Sequence, residues 1–181
     1  MVPTLAATLG VKGHRPTVGT RDGKDLLYVF GVINLVTAAV HSNTLESPKD
    51  AKKRTGKSTT RRLQEAFAAH RRQVGRLYPR ARHRRVVLVI DNAPWHRGQL
   101  IDEALPENPH LEFKRLPSYS PQLNPIERFW KKLRRRATHN RLFDTLADLK
   151  ASLRASLCYF QTMRHKVRSI LEGRPRRKAT K

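Results

Sequence analysis

The chain has 181 residues, which suits one domain with a real core. Its 38 Lys and Arg against 14 Asp and Glu leave a net charge of +24, and that excess calls for a polyanionic partner, nucleic acid first among them. The one cysteine, Cys158, excludes an intrachain disulfide and a cysteine-based zinc site. The longest apolar stretch, residues 26–40, is interrupted by Asn34 and Thr37 and falls short of the ~20 residues that span a bilayer. No basic segment followed by an apolar run opens the sequence, so no signal peptide and no membrane partner are expected.

Residues 1–25 are broken by Gly13, Pro16 and Gly19, and Asp22-Gly23 signals a tight turn. The β-forming run 27–33 reads as a strand, with 38–45 pairing back as a weaker one. Residues 46–58 are polar and basic and read as a loop. Ser58 or Thr59 caps a helix whose stripe is Leu63, Phe67, His70, Val74 and Leu77, ended by Pro79. The continuous apolar run 86–90 reads as a strand buried on both faces. A short helix over 98–105 precedes an alternating strand over 111–116 and a Pro/Ser/Tyr loop over 117–123. Asn124 is a good N-cap and Pro125 a good first helical residue for a helix with the stripe Ile126, Phe129, Trp130 and Leu133. A last helix starts near Asp144 or Thr145, with the stripe Leu146, Leu149, Leu153, Leu157 and Phe160. The order predicts a mixed α/β domain with a helical C-terminus, in which 161–181 form a basic tail, disordered beyond Gly173.

Two acids stand out by position. Asp91 ends the 86–90 strand, where α/β sheets place functional groups, and Glu127 lies in the first turn of the Asn124-capped helix. Two carboxylates converging there can hold Mg²⁺, a hard cation that takes oxygen ligands. Each acid also has a local reading. Asp91-Asn92-Ala93-Pro94 fits an ordinary Asx turn, and 124–127 fits a capping box that consumes Glu127. His96 reads as a structural polar residue, and Trp95 and Trp130 as packing residues. Arg128, Lys131, Lys132, Arg134, Arg135 and Arg136 follow Glu127 with no acid anywhere in 128–143, a basic face that reads as a DNA track.

At these residues the sequence resembles a known family. Residues 87–96, VLVIDNAPWH, and 116–133, LPSYSPQLNPIERFWKKL, resemble the second- and third-acid motifs of DDE transposases of the mariner superfamily, bacterial insertion-sequence branch. Weaker similarity reaches back through 28–34 to Gly13 and Pro16. The resemblance implies a ribonuclease H-like mixed sheet with flanking helices over 1–160. It implies Mg²⁺ as cofactor with Mn²⁺ as a substitute, and cut-and-paste transposition by DNA cleavage and strand transfer. It makes Asp91 the second metal ligand and Glu127 the third, with Asn92, His96, Asn124 and Pro125 in support. DNA, as transposon ends and target, becomes the partner, and a cytoplasmic, nucleoid-associated location the expectation.

The family's first acid and its strand have no counterpart here, because residues 1–12 hold no acid and Asp22 and Asp25 lie after the Gly/Pro segment. Whether the chain is an active enzyme is therefore left open. The expectation is an incomplete catalytic domain whose sheet either pairs the 27–33 and 86–90 strands directly or has a gap between them. A second copy of the chain, or an absent N-terminal portion, is then a further partner. The alternative is a non-catalytic DNA-binding remnant or regulator of an intact transposase.

Overall fold

The computed structural model describes residues 25–173. The Gly/Pro segment, the Asp22-Gly23 turn and the stretch beyond Gly173 lie outside the described residues. The chain runs β1 (Leu26–Ile33), β2 (Val40–Ser47), α1 (Ala51–Thr55), α2 (Thr59–Leu77), β3 (Val86–Ile90), α3 (Gln99–Ala104), β4 (Leu111–Arg115), α4 (Pro125–Ala137), α5 (Leu146–Thr162) and α6 (Arg164–Glu172). Among the described residues no helix is long and apolar enough to cross a membrane.

Strands β1 and β2 form an antiparallel pair, with Leu26 opposite Ser47 and Ile33 opposite Val40. Strands β3 and β4 pair in parallel through α3, with Val86 opposite Leu111 and Ile90 opposite Arg115. Among the described residues these are two separate sheets. Among the described residues β1 and β3 are not paired, and a cavity of about 500 Å³ is lined by Leu27, Val29 and Gly31 of β1 and by Val89, Ile90 and Asp91 at the end of β3. This corrects one expectation. Strand β3 is not buried on both faces: Val87 and Val89 are 49% and 42% exposed. Their side chains alternate onto one face, and no described element covers it.

Alternation along β1 splits the interior in two. Ile33, with Leu27 and Val29 beside it, joins Phe129, Leu133 and Ala137 of α4, Leu153, Leu157 and Phe160 of α5 and Val167 of α6. Phe30, with Tyr28 beside it, joins Leu63 and Phe67 of α2 and Ile101 and Ala104 of α3. Phe129, Leu133 and Ala137 recur every four residues, so α4 buries one face and leaves its basic face outside. Phe129 is fully buried, and truncating such a residue costs about 3–5 kcal/mol. The indole of Trp130 lies so close to Gly31 that a Cβ there would fall 2.5 Å from Cη2, and this close approach seats α4 on β1.

The caps follow the sequence. Ser58 accepts from Arg61 N, Asn124 from Ile126 N, and Thr145 forms a capping box with Asp148. Two short helices depart from the reading. The expected loop 46–58 contains α1. The expected basic tail from 161 instead completes α5 and forms α6, whose fully buried Val167 belongs to the core. Val167, Ile170 and Leu171 give this nine-residue segment a short apolar stripe, but so short a helix is stabilised chiefly by its packing on the core.

Arg71 on α2 is buried, and its guanidinium donates to the carbonyls of Ala104, Leu105, Asn108 and Leu111. It closes the C-terminal end of α3 onto the start of β4, and a bare parallel pair needs such support. His70, one residue earlier, is also buried, and neither ring nitrogen has a hydrogen-bond partner among the described residues. Burial, with His41 adding to it, pushes its pKa down to about 4.

Candidate functional site

Asp91 leaves β3 at the mouth of the cavity, and Glu127 enters from the first turn of α4. Both line the cavity, as does Arg134 two turns further along α4. Both acids therefore border the same cavity, Asp91 from the end of β3 and Glu127 from the start of α4, the helix that the Trp130–Gly31 contact seats on β1.

The Asp91 carboxylate is partly engaged. Its Oδ1 accepts from the Ala93 N–H at 3.1 Å, so the Asx turn is real, and lies 2.9 Å from His96 Nδ1. No described residue bonds its Oδ2. Burial holds the His96 pKa below its ordinary value although the Asp91 carboxylate pulls the other way, so the ring is neutral near pH 7 and donates from Nδ1. That ring is fixed from behind by Phe67, 4.2 Å between centroids. Glu127 differs from its local reading. Asn124 caps the helix through its side chain, but no reciprocal bond from Glu127 is formed, and its carboxylate stays exposed and free of its own helix terminus.

The supporting residues hold the two strand ends. Asn92 Nδ2 donates to Leu116 O at 2.7 Å and its Oδ1 accepts from Arg97 at 2.9 Å. Arg115 donates to His96 O at 2.9 Å. Asn124 and Pro125 occupy the cap and first position of α4. Arg97 and Arg115 were not singled out from sequence, since their partners are set by tertiary packing alone. The basic face divides. Lys131, Lys132, Arg134 and Arg135 are exposed without a carboxylate partner among the described residues. Arg128 donates to Leu171 O at 2.7 Å and so holds α6. The Arg136 guanidinium carbon lies 3.7 Å from the Tyr159 ring centroid, a cation–π contact between α4 and α5. No group of three His, Cys, Asp or Glu with metal-holding geometry occurs among the described residues.

The described residues thus form a mixed α/β domain in which a strand-end acid, Asp91, and a helix-start acid, Glu127, line one cavity beside a basic helix. Residues 5–150 match the family described as DDE superfamily endonuclease, and the chain belongs to that family. Over 85 residues it is 35% identical to the uncharacterized protein y4pE/y4sA of Sinorhizobium fredii (strain NBRC 101917 / NGR234), covering 47% of this chain and 58% of that one. Among solved structures, the Mos1 transposase paired-end complex with left transposon end superposes with a TM-score of 0.58 at 20% identity, over 94% of this chain and 49% of that one. The Mos1 mariner paired end complex with Mn gives 0.59 at 19% over 94% and 50%. The catalytic domain of Mos1 mariner transposase gives 0.55 at 20% over 83% and 77%. At these identities the likeness is one of fold. The chain spans about half the length of the curated relative and of the complexed transposases it matches.

Proposed function

We propose that this chain is the catalytic portion of a transposase that cleaves and joins DNA with a divalent metal, Mg²⁺ by preference and Mn²⁺ as a substitute. The observation that carries this is the pair Asp91 and Glu127 lining one cavity with Arg134, Glu127 being free of its own helix end. The donor set fits a hard cation: two carboxylates, each with oxygen left over, beside exposed arginine and lysine. Such an ion, when bound, acts as a Lewis acid and lowers the pKa of water. The chain's own part is positioning. His96 fixes the Asp91 carboxylate, Asn92 and Arg115 fix the strand ends, and Lys131, Lys132, Arg134 and Arg135 lay phosphates along α4. DNA, as element ends and target, is the substrate, a second copy of the chain completes the assembly, and the nucleoid is where such a protein works.

The test is calorimetric titration of the purified chain with Mn²⁺, with and without a DNA duplex. Binding that is lost in both Asp91→Ala and Glu127→Ala, with both variants melting like the parent, supports the reading. Binding indifferent to both substitutions overturns the site.

A further inference from the structure

Residues 79–85, between α2 and β3, carry Arg80, Arg82, His83, Arg84 and Arg85. This loop is not slack. The Pro79 carbonyl accepts from the N–H groups of both Arg82 and His83, at 2.9 and 3.0 Å. The His83 ring packs edge-on against Tyr78, 5.3 Å between centroids. Tyr78 is itself pinned on three sides: Asn34 donates to its hydroxyl at 3.2 Å, His41 meets its ring edge-on, and His110 Nε2 bonds its carbonyl at 2.7 Å.

On this braced turn the charges are unbalanced. Arg85 pairs with Glu112 at 2.6 Å. Arg80, Arg82 and Arg84 are exposed, and no carboxylate among the described residues pairs with them. Elsewhere the chain spends its few acids on its arginines, as in Arg54–Asp50, Arg61–Glu65 and Arg72–Glu107. Three like charges held on a rigid loop repel one another, and a phosphate backbone is the partner that relieves this, since the arginine fork matches phosphate oxygens.

Position separates this patch from the site already described. Strand β3 (Val86–Ile90) separates the loop from Asp91, so at about 3.3 Å per residue Arg84 lies roughly 20 Å along the strand from Asp91, at its other end. That exceeds the ~8–10 Å over which charges act through physiological salt. We propose that the 79–85 loop is a second contact for duplex DNA, engaging the phosphate backbone of a DNA segment other than the one on α4. The proposal rests on DNA being the substrate, and the test separates the two.

The probe is a fluorescent duplex of about 12 base pairs, titrated by anisotropy and sedimentation with the full chain. The expected result is two duplexes per chain. Arg80→Gln/Arg82→Gln/Arg84→Gln, melting like the parent, should bind one, and the slope of log affinity against log salt at the lost site should account for about 0.9 per phosphate neutralised. Lys131→Gln/Lys132→Gln/Arg134→Gln/Arg135→Gln should also bind one, and the combined variant none. One duplex per parent chain, or two per loop variant with an unchanged salt slope, overturns the proposal while leaving α4 untouched. Loop-dependent binding that favours an RNA duplex of the same sequence over the DNA also overturns it. Loss of all binding in the α4 variant alone would instead show that the loop has no independent site.

Discussion

His96 Nδ1 stands 2.9 Å from Asp91 Oδ1, and the imidazole is clamped in that position by Phe67. The contact leaves the other carboxylate oxygen without a bond from any described residue. A side chain that orients a ligand typically accounts for about 10–100-fold in metal affinity. His96→Ala should therefore weaken Mn²⁺ binding by about that factor in calorimetry, while Asp91→Ala removes it. Equal Mn²⁺ affinity in His96→Ala and the parent would reduce the contact to packing.

With Mg²⁺ or Mn²⁺ and a duplex carrying the element's own ends, the purified chain is expected neither to cut nor to join DNA. Among the described residues two acids, not three, approach the site, and a loosely liganded Mg²⁺ keeps its waters. Gel assays for cleavage and strand transfer decide this. Robust activity abolished by Asp91→Ala would mean that a third ligand is present after all.

Substitutions along α4 should separate into two kinds. Arg134→Ala and Arg135→Ala should weaken DNA binding, each flattening the salt dependence by about 0.9 in log–log slope. Arg136→Ala should also lower the melting temperature, because that guanidinium covers the Tyr159 ring, a contact worth about 0.5–1 kcal/mol at an exposed site. Arg128→Ala should act chiefly on stability by releasing the Leu171 carbonyl. Identical salt slopes for all four proteins would remove α4 from the DNA track.

Acid should destabilise the fold through His70. Its folded pKa is about 4 and its ordinary value 6.5, so between these the unfolded chain binds the extra proton. Stability is therefore full above about pH 6.5 and falls as pH drops toward 4, by on the order of 3 kcal/mol from this group. Urea unfolding at pH 7, 5.5 and 4 measures it. His70→Phe should show a shallower decline, and a decline as steep as the parent's would assign the effect elsewhere.

Gly31→Ala should cost about 1–3 kcal/mol, since the new methyl must displace the Trp130 indole. Urea denaturation measures the loss. Because Trp130 seats the helix that carries Glu127, Mn²⁺ affinity should fall with it, and an unchanged indole fluorescence would argue against the displacement.

The strands β1, β3 and β4 and the helices α2, α4 and α5 were legible because each carries a period, a cap or a breaker of its own. Asp91 and Glu127 were legible by position on those elements. What the residues could not declare was set across the fold. The Glu127 carboxylate is free because Asn124 suffices as cap, Arg128 and Arg136 are diverted to Leu171 and Tyr159, and α6 exists because Val167 finds a core. The apolar run 86–90 suggested two covered faces, yet its environment depends on what lies against it, and a periodicity argument has no access to that.

Arg71 also imposes an order of assembly. Its four carbonyl acceptors lie 33 to 40 residues downstream, so as the chain is synthesised α2 is complete well before any of them exists. Until then the guanidinium stays hydrated, and the β3–α3–β4 unit has no anchor of comparable strength. The unit should consequently close onto α2 in one cooperative step, and its amide hydrogens should exchange together, in a block that Arg71→Lys would loosen without touching α4 and α5.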